Sequence, residues 1–467
     1  MADNEFSIPA CARDEIRRRG YALPPDMSGH IERWYGWYTG DCDWYEERYA
    51  GVDGRAHKRR KLSLRPARRV CREWASLIAN EMGARTDSPR ANEWLRRYCE
   101  GTGLFTLFQR GVERAFAMGT GAMALWFDVR DEGAAIRVRR YDAKMVVPLT
   151  WDEDGTTECA FCTRVTVGGK QAVQLQMHVL DGGSYHVVTK VWRGGRELAP
   201  EALGIIEDFD TMCETPTFCL LSPAIDNHLQ DTSPYGVSVF EDAVGAMKVL
   251  DTAWTALYDE TDLMRAVLML PDSMIDLRQA GPDGKMRAVP FGDQEQRLYR
   301  ITSGSTIDEG KPYAFAPAMR TSSIYETYAA ACAALGDECG FGSQYFQPDK
   351  TGGLKTATEV SADNSALMRN IRNHENALGK GLGRLLTSLV ECARIHCGAD
   401  VEEGAEPVEV VWDDSIITDT QAEKQQMLAE IAAGVVPKWM YLSTFYGKSE
   451  DEARLLMPEQ SVIDLGF

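Results

Sequence analysis

Apolar residues at steps of three and four dominate the C-terminal half of the chain. Val360, Leu367, Ile371, Leu378, Leu382, Leu385 and Leu389 lie on one helical face, with Asn364 and His374 in the gaps. No proline interrupts them, so they predict a single helix of roughly 60 Å at 1.5 Å per residue. A stripe of that length needs a packing partner along it. An earlier set, Ile324, Tyr328, Cys332 and Leu335, predicts a shorter helix. Between the two lies a loop, Phe341 to Lys355, in which Gly342, Pro348, Gly352 and Gly353 break regular structure. Ser323 with Glu326, and Thr356 with Glu359, have the spacing of capping boxes and predict where the two helices start. The stretch 319–397 therefore reads helix, loop, long helix.

The same period marks a third long helix. Val237, Phe240, Val244, Met247, Leu250, Trp254 and Leu257 predict it from about Pro234-Tyr235-Gly236 to near Asp262, with Ser238 and Glu241 as its capping box. Pro66 suits a first helical position, and Val70, Trp74, Leu77 and Ile78 give the following helix an apolar face. Two more helices are predicted around Trp94-Leu95-Tyr98 and from Leu107 to Phe116. Between 123 and 225 the period changes to two. Ala135 to Val138, Cys159 to Val167, Ala172 to Val179 and Tyr185 to Val191 read as strands. Turns at Asp154-Gly155, Gly168-Gly169, Asp181-Gly182-Gly183 and Gly194-Gly195 separate them, which predicts an antiparallel sheet. Near the C-terminus a short β-run, Pro407 to Trp412, precedes three short helices that open at Thr420, Pro437 and Ser449. The fold class is α+β.

Length and charge narrow the functions available. With 467 residues the chain has room for two to four folded units. No apolar run reaches the roughly 18 residues of a membrane span, and the acidic start Met1-Ala2-Asp3-Asn4-Glu5 is unlike a signal peptide. Twelve scattered cysteines suggest reduced thiols rather than a disulfide framework. A net charge of −19 argues against a protein that grips nucleic acid by its phosphates, but it is compatible with a wall past which DNA slides.

Candidate chemistry is sparse. The aromatic cluster Trp34, Tyr35, Trp37, Tyr38, Trp44, Tyr45 and Tyr49 is either a stacking platform for bases or sugars or a packed cap. The basic run Lys58, Arg59, Arg60, Lys61, Arg65, Arg68, Arg69 and Arg72 either touches phosphate or forms the solvated side of a helix and the turn before it. Together they support an alternative reading, a nucleic-acid or carbohydrate-binding module. Cys159-x-x-Cys162 lacks a matching second pair, and on a strand its two thiols point to opposite faces, so zinc is not expected. Gly119-Thr120-Gly121 follows a helix and precedes a strand, the reverse of a dinucleotide fingerprint. Gly447-Lys448-Ser449 lacks the upstream glycine of a phosphate loop, since position 442 is Leu. His374-Glu375 has Leu378 where a zincin has its second histidine, and no G-x-S-x-G elbow occurs. His396-Cys397 near Cys392 is read as a helix end with reduced thiols rather than a metal site, and Asp413-Asp414 as turn and capping residues. No catalytic constellation is found, no cofactor or metal is expected, and an undetected hydrolase is the remaining enzymatic alternative.

The run Lys355-Thr356-Ala357-Thr358-Glu359-Val360, closing a Pro/Gly-rich loop and opening a long helix, resembles the hallmark of bacteriophage portal proteins. Those are the ring proteins at the DNA-entry vertex of tailed-phage capsids, here of the siphophage type of Gram-positive hosts. The resemblance implies a portal fold with long stem and wing helices, a mixed β-rich wing, a small β-rich clip and a helical C-terminal crown. It divides the chain into a wing at 1–235, a first stem helix at 236–265, a clip at 266–318, a second stem helix at 319–340, a tunnel loop at 341–355, a long wing helix at 356–400 and a crown region at 401–467.

It also implies a non-enzymatic homo-oligomeric ring of twelve copies. The implied partners are the terminase large subunit, the major capsid and scaffolding proteins, the head-tail adaptor, and double-stranded DNA that is packaged and ejected through the channel, with no membrane. Location would be the capsid portal vertex of the virion, and the host cytoplasm during assembly. The DNA-facing residues it implies lie in the tunnel loop: Gln344, Gln347, Lys350, Gly352, Gly353 and Lys355. Glutamines and a lysine there would offer a duplex weak contacts on an otherwise acidic wall.

Overall fold

The computed structural model describes residues 7–456 except 51–53, 81, 131–132, 200–202, 264–266, 272–278, 281–285, 288–298, 303–312, 316–317, 349–356, 405–406, 413–419 and 447–449. The N-terminal part holds α1 (Ala10–Arg18), α2 (Ser28–Thr39), the ribbon β1 (Glu46–Ala50) and β2 (Ala56–Arg60), α3 (Pro66–Ile78), β3 (Gly83–Arg85), α4 (Pro89–Thr102) and α5 (Leu104–Met118). Pro66 occupies the first turn of α3 as its sequence predicts, and Val70, Trp74 and Ile78 are buried. Ser88 caps α4 through its side-chain oxygen, which accepts from the Ala91 N–H at 3.3 Å.

The strands that follow are β4 (Gly121–Arg130), β5 (Gly133–Asp142), β6 (Val146–Asp152), β7 (Gly155–Val167), β8 (Lys170–Asp181), β9 (Ser184–Arg193), β10 (Arg196–Leu198), β11 (Asp208–Asp210) and β12 (Phe218–Leu221). They form two antiparallel sheets, β12-β4-β5 and β10-β9-β8-β7-β6, with β11 added on β9. The period-two pattern sorts β7 into two faces. Ala160 and Cys162 pack with α1 through Ala12 and Ile16, whereas Cys159 and Phe161 pack with Tyr141 and Phe218. The two cysteines of the C-x-x-C thus belong to different cores, which rules out a shared ligand site.

Next come α6 (Val244–Leu263), a set of short strands, β13 (Val267–Pro271), β14 (Gln279–Ala280), β15 (Met286–Arg287), β16 (Tyr299–Thr302) and β17 (Tyr313–Phe315), and then α7 (Thr321–Glu338). β13 pairs parallel to β16 and antiparallel to β17. α8 (Ala357–Cys397) is the 41-residue helix that the apolar stripe predicts. After it β18 (Glu409–Val411) pairs antiparallel with β3, and α9 (Thr420–Ala432), α10 (Lys438–Tyr446) and α11 (Glu450–Leu455) close the described chain. Leu367, Ile371, Leu378, Leu382, Leu385 and Leu389 of α8 are all buried in the main core with Trp34, Trp74, Phe108 and Phe116.

One helix start and one capping box differ from expectation. α6 begins at Val244, not near Tyr235, because Ser238 and Glu241 are otherwise engaged. The Ser238 hydroxyl donates to the Phe116 carbonyl at 3.2 Å, and the Val239 N–H donates to the same oxygen at 3.0 Å. Glu241 accepts from Arg33 and from the Trp34 indole N–H. Those ties to α2 and α5 hold 236–243 in turns. In α7 the box Ser323–Glu326 does not form, because the helix already starts at Thr321. There the Ser323 hydroxyl donates to the Arg320 carbonyl at 3.1 Å. The Arg320 N–H instead donates to the Glu260 carboxylate of α6 at 2.8 Å.

Candidate channel site

The loop after α7 starts from a tight helix stop. Gly340 takes a left-handed conformation with φ +81°. Its N–H donates to Asp337 O at 3.1 Å, and the Phe341 N–H donates to Gly336 O at 2.8 Å, the two bonds of a Schellman motif. Phe341, just past the stop, is buried with its ring centroid 4.4 Å from that of Trp74 on α3. The Trp74 indole N–H donates to Cys339 O at 3.1 Å. From α8, the Asn370 amide donates to Gly340 O at 2.8 Å, and the His374 ring meets Trp74 edge-on at 4.6 Å. Three helices therefore fix the point where the loop leaves.

His374 is buried, and burial holds its imidazole down to about 4. Its Nδ1 accepts the Ala224 N–H at 2.9 Å, so that nitrogen is unprotonated. It is a packed histidine, as the absence of a second zincin ligand implies.

The first half of the loop is packed rather than free. Phe346 is buried against Phe341 at 5.0 Å, with the Arg69 guanidinium 5.0 Å over its ring. The Tyr345 hydroxyl donates to Glu73 at 3.2 Å. Gly342, with φ +89°, lies against α7: its N–H donates to the Gly336 carbonyl at 3.1 Å, and a Cβ on Gly336 would overlap its carbonyl oxygen. Of the predicted DNA-facing residues, Gln344 is exposed and Gln347 half-buried. Lys350, Gly352, Gly353 and Lys355 lie outside the described residues, as do Thr356 of the second capping box and the pair Asp413-Asp414.

The helices α6 and α7 pack against each other as a pair. Asp251 of α6 is fully buried. Burial raises its carboxyl above the ordinary range, against the lowering bonds from the Tyr45 hydroxyl at 2.6 Å, the Leu64 N–H at 2.9 Å and Ser63 at 3.1 Å. These bonds lash the N-terminal segment to α6. Hydrogen bonds from Arg320 hold Glu260 below the usual carboxylate range and tie the start of α7 to α6. Apolar side chains remain on the outside of the pair: Val249 is 47% exposed, Trp254 38% and Tyr258 55%.

The aromatic cluster is not a stacking platform. Trp34, Trp37, Tyr38 and Tyr45 are buried in the main core, and of the seven rings Tyr49 is the most exposed. Three members of the basic run, Arg59, Arg60 and Arg72, are ion-paired within the fold. Arg59 pairs with Glu47 and with Asp259 of α6, both at 2.7 Å, and Arg60 with Asp41 and Glu46, both at 3.2 Å. Lys58 to Arg60 lie on β2 rather than in a turn, a consequence of the cross-strand pairs Glu46–Arg60 and Glu47–Arg59. Among the described residues no cluster of His, Cys, Asp and Glu is arranged to hold a metal ion, and no helix is long and apolar enough to cross a membrane.

The family comparison falls on this same region. Residues 340–460, about a quarter of the chain, match the family described as phage portal protein, SPP1 Gp6-like. Over that segment the chain is similar to portal proteins of this family. The match begins at the Gly340 helix stop and takes in the packed loop, all of α8 and the helices α9 to α11. The portal family is structural and non-enzymatic.

Among solved structures the chain is similar to one from the neck of an empty GTA particle, at 15% identity over 96% of this chain and 100% of that one, with a TM-score of 0.43. It is also similar to a chain of the virion of a native gene transfer agent particle, at 14% identity over 94% and 99%, TM-score 0.44. A third, from the neck of a native GTA particle computed with C12 symmetry, is 14% identical over 93% and 98%, TM-score 0.43. No curated protein sequence matches the chain.

Proposed function

We propose that this chain is the subunit of a portal ring at the capsid vertex, the channel through which phage DNA enters and leaves. The observation that carries the reading is the portal-family match beginning at the helix stop anchored by Trp74, Asn370 and Phe341. In this reading α6 and α7 form the stem, the strands between 267 and 315 the clip, and α9 to α11 the crown. The tunnel loop, with Gln344, Gln347, Lys350, Gly352, Gly353 and Lys355, faces the duplex. Twelve copies would place a sparse ring of lysines in an acidic channel, attracting phosphate weakly without holding it. The clip and crown would meet terminase, the head-tail adaptor, and the capsid and scaffolding proteins. The subunit would assemble in the host cytoplasm and end in the virion.

The test is packaging. Particles assembled with and without the chain are treated with nuclease, and protected DNA is measured. Protected genome-length DNA only when the chain is present supports the reading, and equal protection without it overturns the channel role.

A further inference from the structure

The helix pair α6–α7 carries two solvent-facing apolar features on opposite sides. On one side Val249, Thr252, Ala253 and Ala256 of α6, with Ile324 and Thr327 of α7, line an open recess of about 420 Å³. Trp44 stands at its edge, and Lys61 and Lys248 supply positive charge at its rim. On the other side Trp254, 38% exposed with its ring centroid 6.3 Å from that of Tyr328 on α7, and Tyr258, 55% exposed, lie one turn apart on the same helix. At about 100° per residue, the nine-residue step from Val249 to Tyr258 is about two and a half turns, so the two leave the helix in opposite directions.

The chemistries are complementary. The recess has an apolar floor and a cationic rim, and the Lys61 ammonium already lies 4.1 Å from the Trp44 ring centroid. A ring entering from outside would bury its apolar body on the floor and present its electron-rich face to the lysines. An exposed Trp–Tyr pair is the corresponding knob. Because knob and recess leave opposite faces of α6, a twofold contact, which pairs one patch with itself, does not seat one in the other. Their union is a head-to-tail contact, the kind that repeats around a ring.

We propose that Trp254 and Tyr258 of one copy seat in the Val249–Ala256 recess of the next copy, beneath Lys61 and Lys248. This rests on the ring reading and names the contact that builds the ring.

The test uses the full chain. Tyr258 is replaced by the photocrosslinker p-benzoylphenylalanine, the assembled protein is irradiated, and linked peptides are mapped. Alongside it, the ring fraction at fixed concentration is measured for Trp254→Ala with Tyr258→Ala, and for Thr252→Trp, which fills the recess from an exposed position. The melting temperature serves as the check on folding. The expected result is a covalent dimer linked to 248–256 or 324–327 of the neighbour, and at least a tenfold loss of ring for both variants with unchanged melting. Wild-type rings with links elsewhere, or variants that form rings as wild type does, overturn this contact and leave the ring reading standing. Wild-type protein that never assembles overturns both.

Discussion

Gly336 of α7 and Gly342 of the loop are in backbone contact, with no space between them for a side chain. The Gly342 N–H donates to the Gly336 carbonyl at 3.1 Å, and a Cβ placed on Gly336 would run into the Gly342 carbonyl oxygen. The colliding atom is backbone, so it cannot rotate away. Gly336→Ala is therefore predicted to displace the start of the loop and to cost about 1–3 kcal/mol, the usual price of overpacking. Denaturant unfolding measures it, and an unchanged midpoint would contradict the close packing. Trp74→Ala removes the ring under Phe341 and a hydrogen bond to the Cys339 carbonyl, and should cost more, about 3–5 kcal/mol.

The same anchor is sensitive to acid. Burial holds His374 down to about 4, below the value of about 6.5 for an unfolded chain. A depressed histidine keeps its contribution in full above pH 6.5. It loses stability as pH falls from there through about 4, because only the unfolded state readily takes the proton. The loss approaches about 3 kcal/mol at the acid end. His178, buried on β8 and held down to about 3, adds a second loss of the same sign. His374→Gln should flatten the stability-versus-pH curve between 6.5 and 4 without abolishing its slope. An unaltered slope would show that His374 does not titrate on unfolding.

Cys213 and Cys392 place their sulfurs 3.0 Å apart in the core, joining the segment before β12 to α8. The bond from Cys213, followed by burial, keeps the Cys392 thiol well above its ordinary value, so little reactive thiolate forms at neutral pH. With a water-soluble disulfide reagent, Cys397, which is exposed, should label in the native protein, while Cys213 and Cys392 should label only on unfolding. Comparable native rates for all three would contradict the packing of α8 on this segment.

The DNA-facing role proposed for the loop 341–355 is tested by charge. Lys350→Glu is expected to leave assembly intact and to reduce packaged or retained DNA. Deleting Gly352 and Gly353 should impair assembly as well, since α8 would start out of place. Assays of particle yield and of nuclease-protected DNA separate the two effects. Normal DNA content with Lys350→Glu would remove that lysine from the account.

What the sequence showed well was periodic and local. The α8 stripe, Pro66 at the first turn of α3, the opposed faces of Cys159 and Cys162, and the glycine turns between β7, β8 and β9 all follow from short-range rules. What it concealed depends on distant partners. Ser238 and Glu241 have capping spacing, yet Phe116, Arg33 and Trp34 claim them. Pairing of β18 with β3 joins segments more than 300 residues apart, and neither short run shows its mate. The ribbon β1–β2 escaped notice because its residues are polar on both faces, and its order comes from charge pairs. The candidate site was legible as a loop between two helices. The Gly336–Gly342 contact was not, because glycine in a sequence does not distinguish flexibility from close approach.

The central claim is a closed ring, and the most direct measurement is the mass and symmetry of the purified assembly, by native mass spectrometry with class averages from electron microscopy. The account predicts a closed ring with a central channel and a mass of about twelve subunits. Material that stays monomeric or dimeric at every concentration, including when released from particles, would contradict it.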